Sequence, residues 1–243
     1  MSIFYTICFS LKSAKENLYV YCLLMMYASL KKKGVLQPDD HFLVMCDIDT
    51  AQVLRTIAAL KDVKYLIMSH AKDCYDGMRW KYMLPDLIEL PDNVTITYMD
   101  VDFLALKPFQ SYLPPDYVCV FAEGKANDSN YCGEENTHLS YDPSRKGMTA
   151  GFFQYKLGPK TRAFFKRILK DMEAPKKHYT LDQVYFNQQL YNPDTKFVEH
   201  NSNFISFNGH NNMPGATLMN CAGEPGNDQL HFSKQLQFYL ALM

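Results

Sequence analysis

Two aspartates, Asp100 and Asp102, stand one residue apart at the end of an apolar, β-branched stretch at residues 93–106. Burying a carboxylate is costly unless an opposite charge meets it, so this pair needs a partner. If the strand continued through the pair, both side chains would point to one face, with their α-carbons about 6.6 Å apart. Two carboxylates so placed suit a hard divalent cation that also holds phosphate oxygens. A turn in which one aspartate caps an N–H group is the alternative.

The elements around the pair predict an α/β fold with a mostly parallel central sheet flanked by helices. Apolar stretches of strand type alternate with helical patterns through the first half, which is typical of parallel sheets covered on both faces. Strands are predicted at residues 3–10, 41–46, 63–69, 94–99, 117–123, 151–157, 196–199 and 203–207. Because ligands of such sheets bind beyond the carboxyl ends of strands, the aspartate pair lies where a ligand is expected.

Helices are predicted between these strands. Ser13 and Glu16 have the spacing of a capping box that would begin the first helix, and three lysines followed by Gly34 would end it. Pro85 is expected to kink or break a helix at 77–90. Further helices are predicted from Asp49 or Thr50 to residue 60, at 159–172, and at 181–190 with Thr180 as the cap. The polar stretch 124–147 has the length of a functional or mobile loop.

Composition narrows the class of protein. The 243 residues are 47% hydrophobic and 21% charged, which suits one sizeable domain. The net charge of −1 argues against nucleic-acid binding. Seven scattered cysteines without metal-finger spacing favour free thiols in a reducing cytoplasm. The longest apolar run, 18–30, is too short to span a bilayer, so no transmembrane or targeting segment is expected. An oligomer is compatible with the sequence.

No glycine-rich phosphate loop follows any predicted strand, and the first loop, "FSLKSAKEN", contains no glycine. A dinucleotide-binding or P-loop site is therefore not expected. A protein with this sheet and a terminal Asp-x-Asp would have to neutralise a diphosphate with a metal and basic side chains. A nucleotidyltransferase also uses this kind of sheet with a divalent ion, and it stays an alternative, although its usual glycine- and basic-rich first loop is missing.

Five segments, in order along the chain, resemble GT-A glycosyltransferases, particularly the glycogenin-like members of glycosyltransferase family 8. The central one is "MRWKYMLPDLIELPDNVTITYMDVDFLALKPF", with a helix lysine, a strand and then Asp-x-Asp. The others are the first strand with its helix, "TAGFFQYKLGP", "LDQVYFNQQL" and "LHFSK". The resemblance spans nearly the whole chain. It implies the GT-A fold of nucleotide-diphospho-sugar transferases in a single domain, 1–243, with a nucleotide-sugar-binding half (1–106) and an acceptor-side half (107–243) that carries a closing metal ligand.

The activity that the resemblance implies is metal-dependent, retaining transfer of a sugar from a nucleotide-diphosphate sugar, a UDP-sugar, to a hydroxyl acceptor. The acceptor would be a glycan, a glycoprotein or a small molecule. Asp100 and Asp102 match the family's Asp-x-Asp, with ribose and Mn²⁺ (or Mg²⁺) contacts. His231 matches the third protein ligand of the metal. Lys81 matches the helix cation that touches the sugar nucleotide, and Lys234 is the candidate diphosphate clamp.

The sugar and base contacts are implied in the same way. Asp182 and Gln183 match the catalytic Asp-Gln pair beside the donor sugar. Gly151 matches the glycine that lets the backbone approach that sugar. Phe9 and Ser10 stand where the family contacts the base, but the family's tyrosine is missing there.

One departure from the family pattern and several alternative roles stay open. Lys234 follows His231 by three residues, where the family's lysine follows by six, so a non-catalytic nucleotide-sugar-binding module is a further alternative. Each of three residues has a purely structural alternative. His231 could be a core histidine, Lys81 could extend from a helix face to solvent, and Asp182 could be a first-turn helix residue.

Overall fold

The computed structural model describes the chain except residues 12, 91, 111–112, 127, 133–144, 174–181, 210–213, 223–227 and 243. Its strands are β1 (Ser2–Ile7), β2 (His41–Asp47), β3 (Lys64–Met68), β4 (Thr95–Met99), β5 (Phe103–Ala105), β6 (Tyr117–Lys125), β7 (Lys146–Lys156), β8 (Lys196–Glu199), β9 (Ile205–Phe207) and β10 (Leu218–Asn220). Its α-helices are α1 (Tyr19–Lys32), α2 (Ile48–Arg55), α3 (Cys74–Leu87), α4 (Ser129–Cys132), α5 (Pro159–Asp171), α6 (Gln183–Leu190) and α7 (Asp228–Leu242).

A seven-stranded sheet has the strand order β3-β2-β1-β4-β7-β6-β8. β1 pairs with β2 and β2 with β3 in parallel, whereas β6 pairs antiparallel with β7 and parallel with β8. A small sheet has the order β5-β10-β9, in which β10 is antiparallel to β5 and parallel to β9. The predicted α/β class, with a central sheet flanked by helices, is confirmed.

The chain forms two compact units, each built from separate stretches. The first comprises Met1–Ala71, Met99–Ser111 and Asn201–Met243, and the second comprises Lys72–Tyr98 and Tyr112–His200. The predicted division at residues 106 and 107 stays a prediction. The first unit buries one face of α1, whose Leu23, Met26 and Leu30 are 0% exposed. The second has an aromatic core in which Phe153 contacts the rings of Tyr98, Phe165 and Phe186.

The first helix begins later than predicted. Residues Ala14–Glu16 form a single 3-10 turn, and the Ser13 side chain makes no capping bond, so the predicted capping box is wrong. α1 begins at Tyr19, whose N–H donates to Asn17 Oδ1. Asn17 competes successfully because its side chain can bond the nearby backbone on two sides. The predicted helix end is confirmed: α1 stops at Lys32, and Gly34 has φ +66, a conformation that glycine adopts without strain.

Other boundaries also shift. α2 begins directly after Asp47, which accepts the Thr50 N–H, rather than at Asp49 or Thr50. α3 passes through Pro85 and ends two residues later, at Leu87, because a proline in the last turn removes little of the helix. β6 and β7 extend into the predicted loop 124–147, whose centre lies outside the described residues, as does the predicted cap Thr180.

The last helix, α7, occupies a segment for which the sequence pattern predicts no element. It places His231 on a helix, in contact with α1 and β5 of the first unit. Among the helices of the described ranges, none combines the length and the hydropathy that a membrane span requires.

Candidate functional site

The aspartate pair lies in a turn. β4 ends at Met99, β5 begins at Phe103, and the Phe103 N–H donates to the Asp100 carbonyl at 3.3 Å. The strand therefore does not continue through the pair, and the premise that strand alternation aligns the two carboxylates is wrong. The Asp102 carbonyl accepts the Cys221 N–H at 2.9 Å, which joins the turn to the chain after β10.

Asp102 and His231 meet within the first unit, although they are far apart in the sequence. His231 Nδ1 lies 3.5 Å from Asp102 Oδ2, and both side chains are 12% exposed. The other carboxylate oxygen, Asp102 Oδ1, is buried and has no hydrogen-bond partner among the described residues. The Tyr19 ring packs against the His231 ring, with centroids 5.8 Å apart. The site thus combines an imidazole nitrogen with a carboxylate that keeps one oxygen uncompensated.

The first loop is held by two side chains that the sequence pattern did not single out. The Ser10 N–H donates to Asp47 Oδ2 at 3.1 Å, and Asn17 Nδ2 donates to the Phe9 carbonyl at 2.8 Å. Asp47 is 1% exposed and also binds the N–H and hydroxyl of Thr50. Its position at the end of β2, before a helix, is the sequence signal that could have found it.

Lys234 follows His231 by three residues on α7. Its ammonium donates to the Ala222 carbonyl at 3.2 Å. One of its three N–H donors is therefore used within the chain, at the end of the segment that leaves β10.

A second acidic group in the first unit consists of Asp47, Asp49 and His70. Their ligand atoms lie within 4.8 Å of one another, and His70 Nε2 is 3.7 Å from Asp49 Oδ2. Both Asp47 oxygens already accept hydrogen bonds, and Asp49 and His70 are exposed. This group therefore lacks the uncompensated buried oxygen that Asp102 has.

Thiols near these groups stay protonated. Burial raises the pKa of Cys46 to about 12, with a further contribution from the Asp47 charge. Burial, followed by the Asp102 charge, raises the pKa of Cys221 as well. In the metal-free protein, burial therefore disfavours the thiolate form of both cysteines.

The second unit contains a buried ion pair made of two predicted site residues. Lys81 Nζ lies 3.0 Å from Asp182 Oδ2, and the two residues are 1% and 5% exposed. The Tyr82 hydroxyl donates to the same carboxylate oxygen. The Lys81 ammonium also lies 5.0 Å from the Tyr98 ring centroid and 3.5 Å from the Ala150 carbonyl. The alternative in which Lys81 extends to solvent is thus wrong.

Asp182 precedes α6 without capping it, since its side chain makes no capping bond. Because Asp182 still carries its charge at the N-terminus of α6, the alternative of a first-turn residue favoured by the helix dipole stays open. Gln183 Oε1 accepts the Ala150 N–H at 3.0 Å, and its Nε2 donates to the Asn130 carbonyl at 3.4 Å. Gly151 follows Ala150 in β7, and its N–H donates to Thr149 Oγ1 at 3.2 Å. The second unit thus brings Lys81, Asp182, Gln183 and the strand beside Gly151 together.

Comparison with known structures identifies the fold. The chain is similar to the crystal structure of the galactosyltransferase LgtC in complex with donor and acceptor sugar analogs, with TM-score 0.62, 10% identity, and coverage of 99% of this chain and 96% of that one. It is also similar to the apo structure of WbbM, a bifunctional glycosyltransferase, with TM-score 0.64, 10% identity, and coverage of 99% of this chain but 51% of that one. No protein-family model and no curated protein matches the sequence. At this identity the likeness shows the fold alone, and it confirms the predicted GT-A fold.

Proposed function

We propose that this protein is a metal-dependent, retaining glycosyltransferase that moves a sugar from a UDP-sugar to a hydroxyl group of a glycan, a glycoprotein or a small molecule. The observation that carries the proposal is the Asp102 carboxylate, which faces the His231 ring with one oxygen while the other is buried without a hydrogen-bond partner in the described part of the chain. An uncompensated buried carboxylate oxygen is costly, and a cation would satisfy it. The fold shared with two glycosyltransferase structures supports the same conclusion.

Asp102 and His231 would hold a divalent ion together, with Asp100 as the third ligand that the Asp-x-Asp match implies. An imidazole nitrogen together with carboxylate oxygens favours Mn²⁺ over Mg²⁺, which prefers oxygen ligands alone. When bound, the ion would offset negative charge on the diphosphate leaving group.

The remaining residues of the first unit would bind the nucleotide. Phe9 and Ser10 would contact the base from a loop whose backbone is fixed by Asp47 and Asn17. Lys234 would add positive charge for the diphosphate through the donors that Ala222 does not use. The acceptor would lie against the polar segment 124–147 or against the segment 208–228.

The second unit would bind the donor sugar. Lys81 and Tyr82 hold the Asp182 carboxylate, whose charge would stabilise an oxocarbenium-like transition state. Gln183 fixes the Ala150 N–H, so that the backbone at Gly151 is presented without a Cβ. A front-face attack by the acceptor hydroxyl then needs no strong protein nucleophile, in keeping with retention. The seven cysteines, all free thiols, fit the cytoplasmic location that the composition predicts.

The test is a thermal-shift titration with UDP and UDP-sugars, with and without Mn²⁺, followed by a donor-hydrolysis assay. A ligand at 100 times its dissociation constant stabilises the folded state by about 2.7 kcal/mol. For a chain of this size, that corresponds to a midpoint increase of about 5 °C or more. We expect Asp102→Asn to abolish both the Mn²⁺-dependent shift and hydrolysis, and His231→Ala to weaken both.

Asp49→Asn is the matched control, because it alters the competing acidic group and leaves Asp102 intact. We expect it to behave as the unaltered protein. Full Mn²⁺ dependence in Asp102→Asn, or its loss in Asp49→Asn, would refute the assignment. Pyrophosphate release from a nucleoside triphosphate would instead favour a nucleotidyltransferase.

A second candidate is a non-catalytic module that binds a nucleotide sugar. The observation that favours it is the bond between Lys234 and the Ala222 carbonyl, which ties up part of the proposed diphosphate clamp. Mn²⁺-dependent UDP binding without hydrolysis or transfer of any UDP-sugar would identify this function.

A further inference from the structure

Gln235 lies on α7, one helical turn after His231. It contacts the backbone of the turn at residues 100–103, which carries Asp100 and Asp102. It is 0% exposed. Its Nε2 donates to the Val101 carbonyl at 2.9 Å and lies 3.3 Å from the carbonyl oxygens of Phe103 and of Cys22 in α1. Residues four apart share one face of a helix, so His231 and Gln235 face the same turn.

We propose that Gln235 is a positioning residue that fixes the Asp102 carboxylate beside the His231 ring and thereby sets the metal affinity of this site. The inference rests on the proposed function, because it concerns the same metal site. Gln235 does not touch the ion in this proposal and acts only through the backbone on both sides of Asp102.

The orientation of the Gln235 amide follows from its partners. All three groups around its Nε2 are carbonyl oxygens, which accept and cannot donate hydrogen bonds. A reversed amide would bring Oε1 against three acceptors, so only the N–H₂ group fits there. Oε1 itself is buried and has no partner among the described residues. An apolar residue of the same shape would avoid that unsatisfied acceptor. The advantage of glutamine at this position is therefore its two N–H donors.

The backbone of the turn is held at three consecutive carbonyls. Gln235 binds those of Val101 and Phe103, and the Cys221 N–H binds that of Asp102. Its own contacts hold the Asp102 side chain weakly, since within the described ranges one oxygen has no hydrogen-bond partner and the other lies 3.5 Å from the His231 ring. Its direction is therefore set by the backbone. A carboxylate that is already oriented binds a metal more tightly, because less freedom is lost on binding.

The test compares Gln235→Met with Gln237→Met. Methionine has nearly the length of glutamine but no N–H donor, and Gln237 is an exposed glutamine on the same helix. Mn²⁺ affinity is measured by electron paramagnetic resonance of free Mn²⁺ in the presence of UDP, and stability by urea unfolding without metal. We expect Gln235→Met to weaken Mn²⁺ binding roughly tenfold or more, as loss of a ligand-orienting group does. Gln237→Met should match the unaltered protein.

A double-mutant cycle with His231→Ala separates positioning from a purely structural role. If Gln235 orients Asp102 toward His231, the loss of Mn²⁺ affinity caused by His231→Ala becomes smaller in the Gln235→Met background. If Gln235 only joins α7 to α1, urea stability falls, and His231→Ala costs the same in both backgrounds. An equal loss of Mn²⁺ affinity from His231→Ala in both backgrounds would overturn the proposal.

The Mn²⁺ measurements distinguish a wrong positioning role for Gln235 from a wrong proposed function. If the unaltered protein binds Mn²⁺ and Gln235→Met binds it equally well, the positioning role is wrong and the proposed function stands. If the unaltered protein binds no Mn²⁺ with UDP present, both are wrong. Should Gln235→Met not fold, Gln235→Asn replaces it, since asparagine keeps the amide but draws it back by one methylene group. Weaker Mn²⁺ binding by folded Gln235→Asn supports the proposal, and unchanged binding overturns it.

Discussion

Lys81 and Asp182 illustrate how a single pair of residues links stability to the proposed chemistry. Both charges are almost fully enclosed, and their charged atoms lie 3.0 Å apart. A buried pair of this kind adds little stability compared with apolar residues, but removing one partner is strongly destabilising. The pair therefore explains why an ionised group can stay in place beside the proposed sugar site.

Asp182→Asn is expected to lower the free energy of unfolding by about 3 to 5 kcal/mol, because it removes the carboxylate charge that lies 3.0 Å from the buried Lys81 ammonium. Urea unfolding at pH 7 measures the loss. The matched control is Asp86→Asn, which removes the partner of Lys166 in an exposed pair with 3.5 Å between the charged atoms. That change should cost about 1 kcal/mol or less. Adding Lys81→Met to Asp182→Asn should recover much of the loss, and equal costs for the two single variants would contradict this account.

His200 is the other residue with a clear energetic consequence. Its Nε2 lies 3.1 Å from Gln154 Oε1, and Gln154 Nε2 donates to Thr97 Oγ1 at 2.9 Å. Burial lowers the pKa of His200 from 6.5 to about 4. The folded protein therefore keeps this ring neutral at pH values where the unfolded chain binds a proton.

The free energy of unfolding is expected to fall as the pH decreases from 6.5 toward 4, by at most roughly 3 kcal/mol from this residue. The sign follows because the unfolded state binds more protons than the folded state in that window. The full contribution is present above pH 6.5. Urea unfolding at pH 5 and pH 7 measures it, with His200→Gln as the comparison, since glutamine keeps a donor for Gln154 but does not titrate. An unchanged pH dependence in His200→Gln would assign the effect to other groups.

At the scale of elements, Asp47 and Asp73 make a matched pair of helix caps. Asp47 caps α2 through the Thr50 N–H, and Asp73 caps α3 through the Asp76 N–H. Only Asp47 also binds the Ser10 N–H in the first loop. Both residues therefore cap a helix, and only Asp47 also holds the first loop.

Alanine substitution at either cap is expected to lower the free energy of unfolding by about 1 to 2 kcal/mol. Only Asp47→Ala should also weaken UDP binding, because it releases the loop proposed to contact the base. Urea unfolding and a UDP titration in the presence of Mn²⁺ measure the two effects separately. Equal UDP affinity in both variants would show that the Ser10 contact does not prepare the nucleotide site.

The elements also show where sequence patterns succeed. The strands other than β5 and β10 follow from their apolar, β-branched runs, and the end of α1 follows from Gly34, which adopts a positive φ. The start of α1 is mispredicted, because Ser13 and Asn17 are both residue types that favour a helix start. In the structure Asn17 binds the first N–H of α1, and its contact with the Phe9 carbonyl holds it there. α7 goes unpredicted because its apolar residues do not follow one clear helical stripe in the sequence.

At the scale of the whole molecule, the cysteines provide a test of the fold in solution. All seven are free, and Cys74 is the exposed one. Burial raises the pKa of the thiols of Cys8, Cys46, Cys119 and Cys221, so their reactive thiolate form is suppressed.

Iodoacetamide is expected to modify Cys74 alone in the native protein and all seven cysteines in guanidinium. Intact-mass and peptide mass spectrometry count and locate the labels. Cys74→Ser should remove the native label and leave the thermal midpoint unchanged. Rapid native labelling of Cys22 or Cys221, both 0% exposed, would be inconsistent with the packing of the first unit.

The α/β class and the residue types available for chemistry are readable from the chain alone, because hydrophobic periodicity, glycine conformation and the Asp-x-Asp and Asp-Gln spacings are local properties. The packing of distant elements decides that Asp102 meets His231 and that Lys81 is enclosed with Asp182. It also decides that Gln235 binds the backbone of the turn that carries Asp102. Each of these contacts joins residues far apart along the chain. Their geometry depends on how α7 and the other elements pack, which no local pattern encodes.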